Sequence, residues 1–277
     1  MPAIPRYAVF GHPVAHSLSP RLHALFAAQA GIALDYTAID AAPEAFARAV
    51  HGFFDAGGSG ANVTLPHKAA AFALADSHSQ TAQRLGVANV LTGLPDGRIE
   101  ADSNDGAGML ADLRARCGVD PRDRNALLLG AGGAACAAAF ALLDAGVRSL
   151  VIANRTYGRA QALAGALAQP GRVCVSAWND LARCASFDLV LDATSAGVQR
   201  AGLALPPSLA GAGTVAYDLS YGPAAQPFVE WAKLAGCAAA FDGLGMLVET
   251  AAASFERWHG VRPDTGAALH LLRASAS

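Results

Sequence analysis

The sequence predicts an α/β protein built from two α/β domains. Its length of 277 residues is typical of about two domains. Beyond residue 125, short apolar runs alternate with helix-forming segments, which is the pattern of a doubly wound parallel sheet. Within this part, the apolar run 127–129 leads directly into a glycine-rich turn at 130–135, and a helix-forming run at 136–143 follows.

The glycine-rich turn fits the pattern G-x-G-x-x-G/A, which binds the pyrophosphate of a dinucleotide. Gly130 allows a sharp turn, Gly132 allows close approach of the pyrophosphate, and Ala135 lets the helix pack closely on the sheet. The helix N-terminus adds unpaired N–H groups and partial positive charge. The uncharged stretch 126–143 could also be a membrane span, but its Ala and Gly content and its clustered glycines favour strand, turn and helix.

The composition limits the classes of partner. Hydrophobic residues are 53% and charged residues 15% of the chain, which supplies ample core material and gives no sign of disorder. A formal net charge of −2 disfavours nucleic acid as a partner. The five cysteines lack C-x-x-C spacing, which predicts buried thiols and no metal site. With no signal peptide predicted, we expect a cytoplasmic monomer or homodimer that is not bound to a membrane.

The end of the next predicted strand indicates which dinucleotide binds. NAD-binding domains usually place Asp or Glu there, to bind the ribose 2′-hydroxyl. This chain has Asn154, Arg155 and Thr156, with Arg159 three residues later. A guanidinium binds a 2′-phosphate that a carboxylate would repel, so NADP is favoured over NAD. The alternative is that both arginines are ordinary exposed residues at a helix start.

The N-terminal half places polar residues where predicted strands end. Ser17 and Ser19 follow a strand at 7–10 and suit a polyol or carboxylate ligand, although Ser19 with Pro20 also fits a helix N-cap. Lys68 falls in the first turn of a helix that Pro66 is predicted to open, where the helix dipole disfavours a cation. A residue placed against a local rule is a functional candidate.

Further elements follow from periodicity and turn residues. We expect a break at 57–60, a half-buried strand at 62–65, a polar helix at 77–85 and a hairpin turn at 94–97. Asp105 is expected to cap the helix that follows it.

These motifs, taken in order, resemble the shikimate dehydrogenase family. They run almost end to end, and their order and spacing together are highly specific. They are HSLSP (16–20), GANVTLPHK (60–68), Asn89, SNDG (103–106), GAGGAA (130–135), NRTYGR (154–159), ATSAG (193–197), YDLSY (217–221) and DGLGMLVE (242–249).

The resemblance implies an NADP-dependent oxidoreductase that interconverts shikimate and 3-dehydroshikimate. It implies a substrate-binding catalytic domain with a mostly parallel sheet over 1–104, completed by C-terminal helices over 244–277. A Rossmann-like NADP-binding domain is expected over 105–243, with the active site in the cleft between the two domains.

The resemblance also assigns roles. Lys68 is the general acid/base, and Asp105 orients it and binds substrate hydroxyls, since an amine tuned by a carboxylate can relay the proton of a secondary alcohol. The expected substrate-binding residues are Ser17, Ser19, Thr64, Asn89, Tyr221 and Thr250. The expected cofactor-binding residues are Gly130, Ala131, Gly132, Gly133, Ala134, Asn154, Arg155, Thr156, Arg159, Thr194, Ser195, Gly243 and Met246.

Four positions depart from the family pattern. Ser103 and Asn104 stand where the family usually has Asn-Thr, Thr250 where it usually has a substrate-binding Gln, and Ala135 where Ser is common. Thr250 loses one or two substrate hydrogen bonds unless water replaces them. The alternative is therefore a paralogue that acts on quinate or a related acid, or uses NAD. A non-catalytic nucleotide sensor is the alternative from another class, and it would need neither Lys68 nor Asp105.

Overall fold

The computed structural model describes residues 4–194 and 204–274. The chain divides into a first unit, Met1–Gly108 with Val248–Ser277, and a second unit, Met109–Leu247. Helices Asp105–Ala115 and Leu244–His259 each extend across one boundary. The bounds expected from the sequence, 104/105 and 243/244, coincide with the starts of these helices, because turn residues mark helix ends and not positions inside a helix.

The described elements alternate between strand and helix through most of the chain. Strands β1 to β12 are Arg6–Gly11, Asp35–Asp40, Gly58–Val63, Ser77–His78, Val90–Gly93, Ile99–Asp102, Asn125–Leu129, Ser149–Asn154, Val173–Ala177, Leu189–Asp192, Val215–Asp218 and Ala239–Phe241. Helices α1 to α10 are Ser19–Ala30, Phe46–Asp55, Lys68–Leu74, Gln80–Leu85, Asp105–Ala115, Gly133–Asp144, Tyr157–Leu167, Gln226–Leu234, Leu244–His259 and Thr265–Ala274.

A mixed sheet organises the first unit. Its strand order within the described residues is β2-β1-β3-β5-β6-β4. β1 pairs in parallel with β2 and β3, and β4 pairs in parallel with β6. The predicted hairpin β5–β6 is antiparallel, and β5 is also antiparallel to β3. β3 and β6 therefore run in the same direction, so their carboxyl ends lie at one edge of the sheet.

The centre of this sheet is held by aromatic packing. Phe10 on β1 is fully buried and meets Phe46 and Phe53 of α2 edge to face, with ring centroids 6.1 and 5.8 Å apart. Burial of each ring stabilises the fold by roughly 1.5–3 kcal/mol. This packing fixes the carboxyl end of β1, from which the predicted substrate loop continues.

The helix before 57–60 ends as predicted, with α2 ending at Asp55 and Gly57 in a turn at φ of 87°, but the break does not extend through Gly60. Gly58 and Gly60 are strand residues of β3. A Cβ at Gly58 would collide with the ring of Phe53, and one at Gly60 would lie 2.6 Å from the indole Nε1 of Trp258. Gly58 and Gly60 therefore give room for aromatic rings on the sheet and form no turn.

Three neighbouring elements exist as predicted but with other bounds. β3 ends at Val63, so Leu65 is not a strand residue and is 51% exposed, and the following helix begins at Lys68 rather than Pro66. Pro66 has no N–H to extend a strand ladder. Residues 77–85 begin as the short strand β4, and Ser79 then caps α4 by accepting the N–H of Ala82 at 3.0 Å.

The second unit contains the doubly wound sheet that the sequence predicts. The strand order within the described residues is β9-β8-β7-β10-β11-β12, with every pairing parallel. This is the 3-2-1-4-5-6 order of dinucleotide-binding domains. Stretch 126–143 forms β7, the turn and α6. Within 4–194 and 204–274, no helix combines the length and apolar character needed to cross a membrane.

The cysteines are thiols but are not buried as predicted. Cys174 is exposed on strand β9, at one edge of its sheet, and Cys117, Cys136, Cys184 and Cys237 are partly exposed. Among the described residues there is no cluster of three or more His, Cys, Asp or Glu side chains that could hold a metal ion.

Candidate active site

The predicted catalytic pair comes together in the first unit. Lys68 is the first residue of α3 and Asp105 the first residue of α5. Lys68 Nζ lies 2.5 Å from Asp105 Oδ2, and the side chains are 14% and 8% exposed. The helices follow β3 and β6, whose carboxyl ends share one edge. Asp105 therefore offsets the unfavourable placement of Lys68 at a helix N-terminus.

Asn89 binds the other oxygen of Asp105. Its Nδ2 donates to Asp105 Oδ1 at 2.8 Å and to Asn104 Oδ1 at 2.7 Å, while its Oδ1 accepts the N–H of Asn104 at 2.9 Å. Asn89 is 3% exposed. Both carboxylate oxygens of Asp105 thus bind side chains, and Asn89 sets the direction of the oxygen that faces Lys68.

Ser17 and Thr64 lie on loops that follow the neighbouring parallel strands β1 and β3, and Ser19 is the first residue of α1. The N–H of Thr64 donates to the carbonyl of Phe10 at 2.8 Å, which ties the loop after β3 to β1. The N–H of Ser19 donates to Ser17 Oγ at 3.3 Å. Leu18 occupies the N-cap position of α1 without a side-chain cap, so the N-cap interpretation of Ser19 is wrong.

Asp40, at the end of β2, anchors the loop that carries the two serines. Its Oδ2 accepts the N–H of Val14 at 3.1 Å, and its Oδ1 lies 2.6 Å from His12 Nδ1. Hydrogen bonds from His12 and Val14 hold the pKa of Asp40 below its ordinary value. The carboxylate form therefore persists and ties β2 to the serine loop.

The hydroxyl of Thr250 faces Gly108, where a Cβ would collide with it. This oxygen is buried and has no hydrogen-bond partner within the described part of the chain. The carbonyl of Thr250 accepts from Asn104 Nδ2 at 3.2 Å and from Ser254 Oγ at 3.1 Å. Thr250 as a substrate ligand stays a prediction.

In the second unit, the glycine-rich turn follows β7 and opens α6. Gly130 has φ of 111°, and a Cβ there would lie 2.7 Å from the carbonyl of Ala193, so the position requires glycine. Gly132 is the N-cap of α6, and a Cβ there would meet nothing within 4 Å. Its backbone is therefore open to a pyrophosphate. Ala131, Gly133 and Ala134 complete the turn and the start of the helix.

The predicted 2′-phosphate residues lie at the end of β8, which pairs in parallel with β7. Asn154 ends the strand, and its Nδ2 donates to the carbonyl of Thr156 at 2.9 Å, which shapes the turn before α7. Arg155 and Arg159 are exposed beside the N-terminus of that helix. The donor set of two guanidinium groups and a helix N-terminus fits a phosphate.

Of the remaining predicted residues that the structure describes, Thr194 and Tyr221 follow strands β10 and β11, and Met246 lies in α9. Gly243 immediately precedes α9, and a Cβ there would collide with the carbonyl of Leu219. Met246 is 8% exposed in α9. Tyr221 follows β11 in the second unit and precedes the short 3-10 turn Gly222–Ala224.

A buried pair of acids lies where β10 and β11 end. Asp192 and Asp218 are register partners on these parallel strands and are 3% and 2% exposed. They accept the N–H groups of Thr194 and Ser220 at 2.8 and 2.7 Å. Burial raises the pKa of Asp192 to about 6, and burial with the charge of Asp192 raises the pKa of Asp218 to about 8. Ser195, predicted to bind cofactor, lies outside the described residues.

These acids predict a pH-dependent stability. An acid whose pKa is raised by folding stabilises the fold at low pH, and this stability is lost as pH rises through the folded-state pKa. We expect the free energy of unfolding to fall by roughly 2 kcal/mol from pH 6 to pH 9. Asp192→Asn keeps the oxygen that accepts from Thr194 and removes the like charge, so it should weaken this pH dependence and stabilise the protein at pH 9.

Urea unfolding at the two pH values measures this effect. Asp180→Asn is the matched control, because it removes a half-exposed acid of the same unit and should keep the wild-type pH dependence. An unfolding free energy that is equal at pH 6 and pH 9 in the wild type would contradict the assignment.

Three residues that shape the polar contacts of the first unit were not predicted from the sequence. Asp40 is the last residue of β2, and its position at a strand end was the available signal. Tyr36 lies in β2 and Ser254 in α9, where a lone hydroxyl gives no sequence signal that distinguishes a hydrogen-bonded network from ordinary core.

The parallel sheet order, the open glycine-rich turn and the buried Lys–Asp pair define a dinucleotide-dependent oxidoreductase with a two-domain α/β fold. Family models agree along the chain: "Shikimate dehydrogenase substrate binding domain" matches 9–91, "Shikimate / quinate 5-dehydrogenase" matches 112–200, and "Shikimate 5'-dehydrogenase C-terminal domain" matches 243–273. The chain belongs to the shikimate dehydrogenase family.

Individual relatives cover nearly the whole chain. The shikimate dehydrogenase (NADP(+)) of Xanthomonas campestris pv. campestris strain B100 is 54% identical over 98% of this chain and 96% of its own length. The Ael1 enzyme from Pseudomonas putida has a TM-score of 0.88 at 42% identity, covering 97% and 98% of the two chains. Shikimate 5-dehydrogenase from Thermus thermophilus, solved with NADP(H) and shikimate, has a TM-score of 0.86 at 35% identity, covering 99% and 100%.

Proposed function

We propose that the chain catalyses the reversible reduction of 3-dehydroshikimate to shikimate with NADPH, and that Lys68 exchanges the proton. The partly buried 2.5 Å contact between Lys68 and Asp105 carries this proposal. The names of the curated relatives, shikimate dehydrogenase (NADP(+)), support the substrate and the cofactor. The thiol state of the cysteines fits a reducing compartment, and we propose the cytoplasm.

Lys68 is suited to move a proton at the reacting oxygen. As an ammonium it donates a proton to the substrate carbonyl oxygen when that oxygen becomes a hydroxyl, and as an amine it accepts the proton in the reverse direction. Asp105 keeps the Nζ group in one place, because its Oδ1 is held by Asn89 and its Oδ2 is left for Lys68. NADPH, when bound, supplies the hydride.

The loops at the edge of the first sheet are proposed to bind the substrate. Ser17 and Ser19 would hold the carboxylate, and Asp40 keeps their loop in place. Thr64, Asn89 and Tyr221 would contact the ring hydroxyls and the carboxylate end, and Thr250 is proposed as a further substrate contact. Hydroxyl and amide groups suit a polyhydroxy acid, whose hydroxyls and carboxylate can pair with them. A ligand that lacks these groups would leave the polar side chains of the site unpaired and would be rejected.

The second unit is proposed to bind NADP. The open backbone at Gly132 and the N-terminus of α6 would receive the pyrophosphate, while Arg155 and Arg159 would pair with the 2′-phosphate. Asn154 and Thr156 shape the turn that carries these arginines. Thr194, Ser195, Gly243 and Met246 are proposed to line the nicotinamide side.

One set of assays separates the candidate functions. We expect NADPH oxidation with 3-dehydroshikimate, and reduction of NADP with shikimate faster than with quinate. Faster turnover of quinate would favour the paralogue, an alternative suggested by the departures at Ser103, Asn104 and Thr250. No turnover with any of these substrates, combined with tight NADPH binding, would favour a nucleotide sensor and overturn the proposal.

A further inference from the structure

A hydrogen-bonded network in the first unit is centred on Ser254, a residue of α9 that is fully buried. Its Oγ accepts from Asn62 Nδ2 at 2.8 Å and from Asn104 Nδ2 at 3.0 Å, and it donates to the carbonyl of Thr250 at 3.1 Å. A hydroxyl has one hydrogen and two lone pairs, so the hydrogen-bonding capacity of Ser254 is filled. Removing this hydroxyl takes an acceptor from two side-chain amides at once.

One arm of the network leads to the catalytic pair. Because the hydrogen of Ser254 is donated to Thr250, Ser254 can only accept from Asn104, so Nδ2 of Asn104 must face it. Oδ1 of Asn104 then faces Asn89, whose Nδ2 donates to it and to Asp105 Oδ1. The amide orientations along this arm are therefore consistent from Ser254 to the carboxylate.

A second arm leads to Tyr36 on β2. Asn62, which donates to Ser254 through Nδ2, accepts at Oδ1 from the hydroxyl of Tyr36 at 2.8 Å. Ser254 is thus the point where the arm from Asp105 and the arm from Tyr36 meet.

We propose that Ser254 and Asn104 are positioning residues that hold Asn89, and through it the carboxylate of Asp105, in the orientation that faces Lys68. Asn104 is the link, because its side chain reaches both Asn89 and Ser254. The inference rests on the proposed function, since it takes Asp105 to be the partner of the proton-exchanging group.

Steady-state kinetics of matched variants tests this role. We expect Ser254→Ala to lower kcat by roughly 5- to 20-fold and to raise the KM for shikimate several-fold, with the KM for NADP unchanged. Ser254→Thr keeps the hydroxyl and should recover most of the kcat. Ser149→Ala, which removes a hydroxyl bound to Asn125 in the second unit, is the control and should match the wild type.

A double-mutant cycle shows whether the two residues act in series. If Ser254 acts on Asp105 through Asn104, the Ser254→Ala, Asn104→Ala double variant should have the kcat of Asn104→Ala alone. Fully additive losses, or single variants with wild-type kcat and KM, would overturn the inference while leaving an active wild type and its proposed function intact. An inactive wild type would instead overturn the proposed function. Thermal unfolding of each variant separates misfolding from loss of alignment.

Discussion

Replacing Lys68 with alanine is expected to lower kcat by roughly 10²- to 10⁴-fold, the range of a lost general acid/base. The variant removes the Nζ group that lies 2.5 Å from Asp105 and leaves the carboxylate held by Asn89. Binding of NADPH should change little, because the residues proposed to hold it belong to the second unit. Steady-state rates with 3-dehydroshikimate and NADPH fluorescence titration measure the two effects.

The chain offers a matched control, since its sequence has one other lysine, Lys233, which is exposed in α8. Lys233→Ala removes the same side chain outside the proposed site and should retain full kcat. A Lys68→Ala variant that turns over normally, or that loses NADPH binding while keeping its rate at saturation, would show that Lys68 does not exchange the proton.

The second unit could be predicted from sequence because its signals are local. The apolar run 127–129 and the turn that follows it encode a strand, a turn and a helix within one short stretch. The structure confirms the position of Gly130, where φ is 111° and a Cβ would approach Ala193. The parallel sheet could also be predicted, because each short apolar run indicates a strand by its own composition.

The errors in the first unit have a common physical cause, which is that partners distant in the sequence decide local structure. Gly58 and Gly60 indicate a turn by composition, but Trp258, nearly two hundred residues away, occupies the space that a side chain at Gly60 would fill. Likewise Ser19 fits an N-cap by sequence, whereas α1 begins at that residue. Propensity is a weak prior that tertiary packing overrides.

The residues of the candidate active site also divide into those with a local sequence signal and those that depend on partners distant in the sequence. Lys68 stood out because it opposes a helix dipole, and the structure pairs it with Asp105, which shares its sheet edge. Ser254 could not be predicted, because a serine on the apolar face of a helix has no local signal until Asn62 and Asn104 reach it from two other elements.

Loss of both Arg155 and Arg159 is expected to raise the KM for NADPH by roughly 10- to 100-fold, the effect of losing charge-assisted contacts to a phosphate. The KM for NADH should change little, because NADH has no 2′-phosphate, so the preference for NADPH should nearly disappear. Both arginines are exposed beside the N-terminus of α7, so the double alanine variant removes charge without opening the core. Rates with each cofactor at saturating 3-dehydroshikimate measure the change.

Arg183→Ala is the matched control, because Arg183 is an 85% exposed arginine of the same unit that pairs with Asp180. It should keep the wild-type preference for NADPH, which separates a local phosphate contact from the general loss of positive charge. A double variant at 155 and 159 that still prefers NADPH would mean that other donors select the 2′-phosphate. An equal rise in KM for NADPH and NADH would mean instead that the arginines bind a part of the cofactor that both share. The charge argument for NADP would then be wrong.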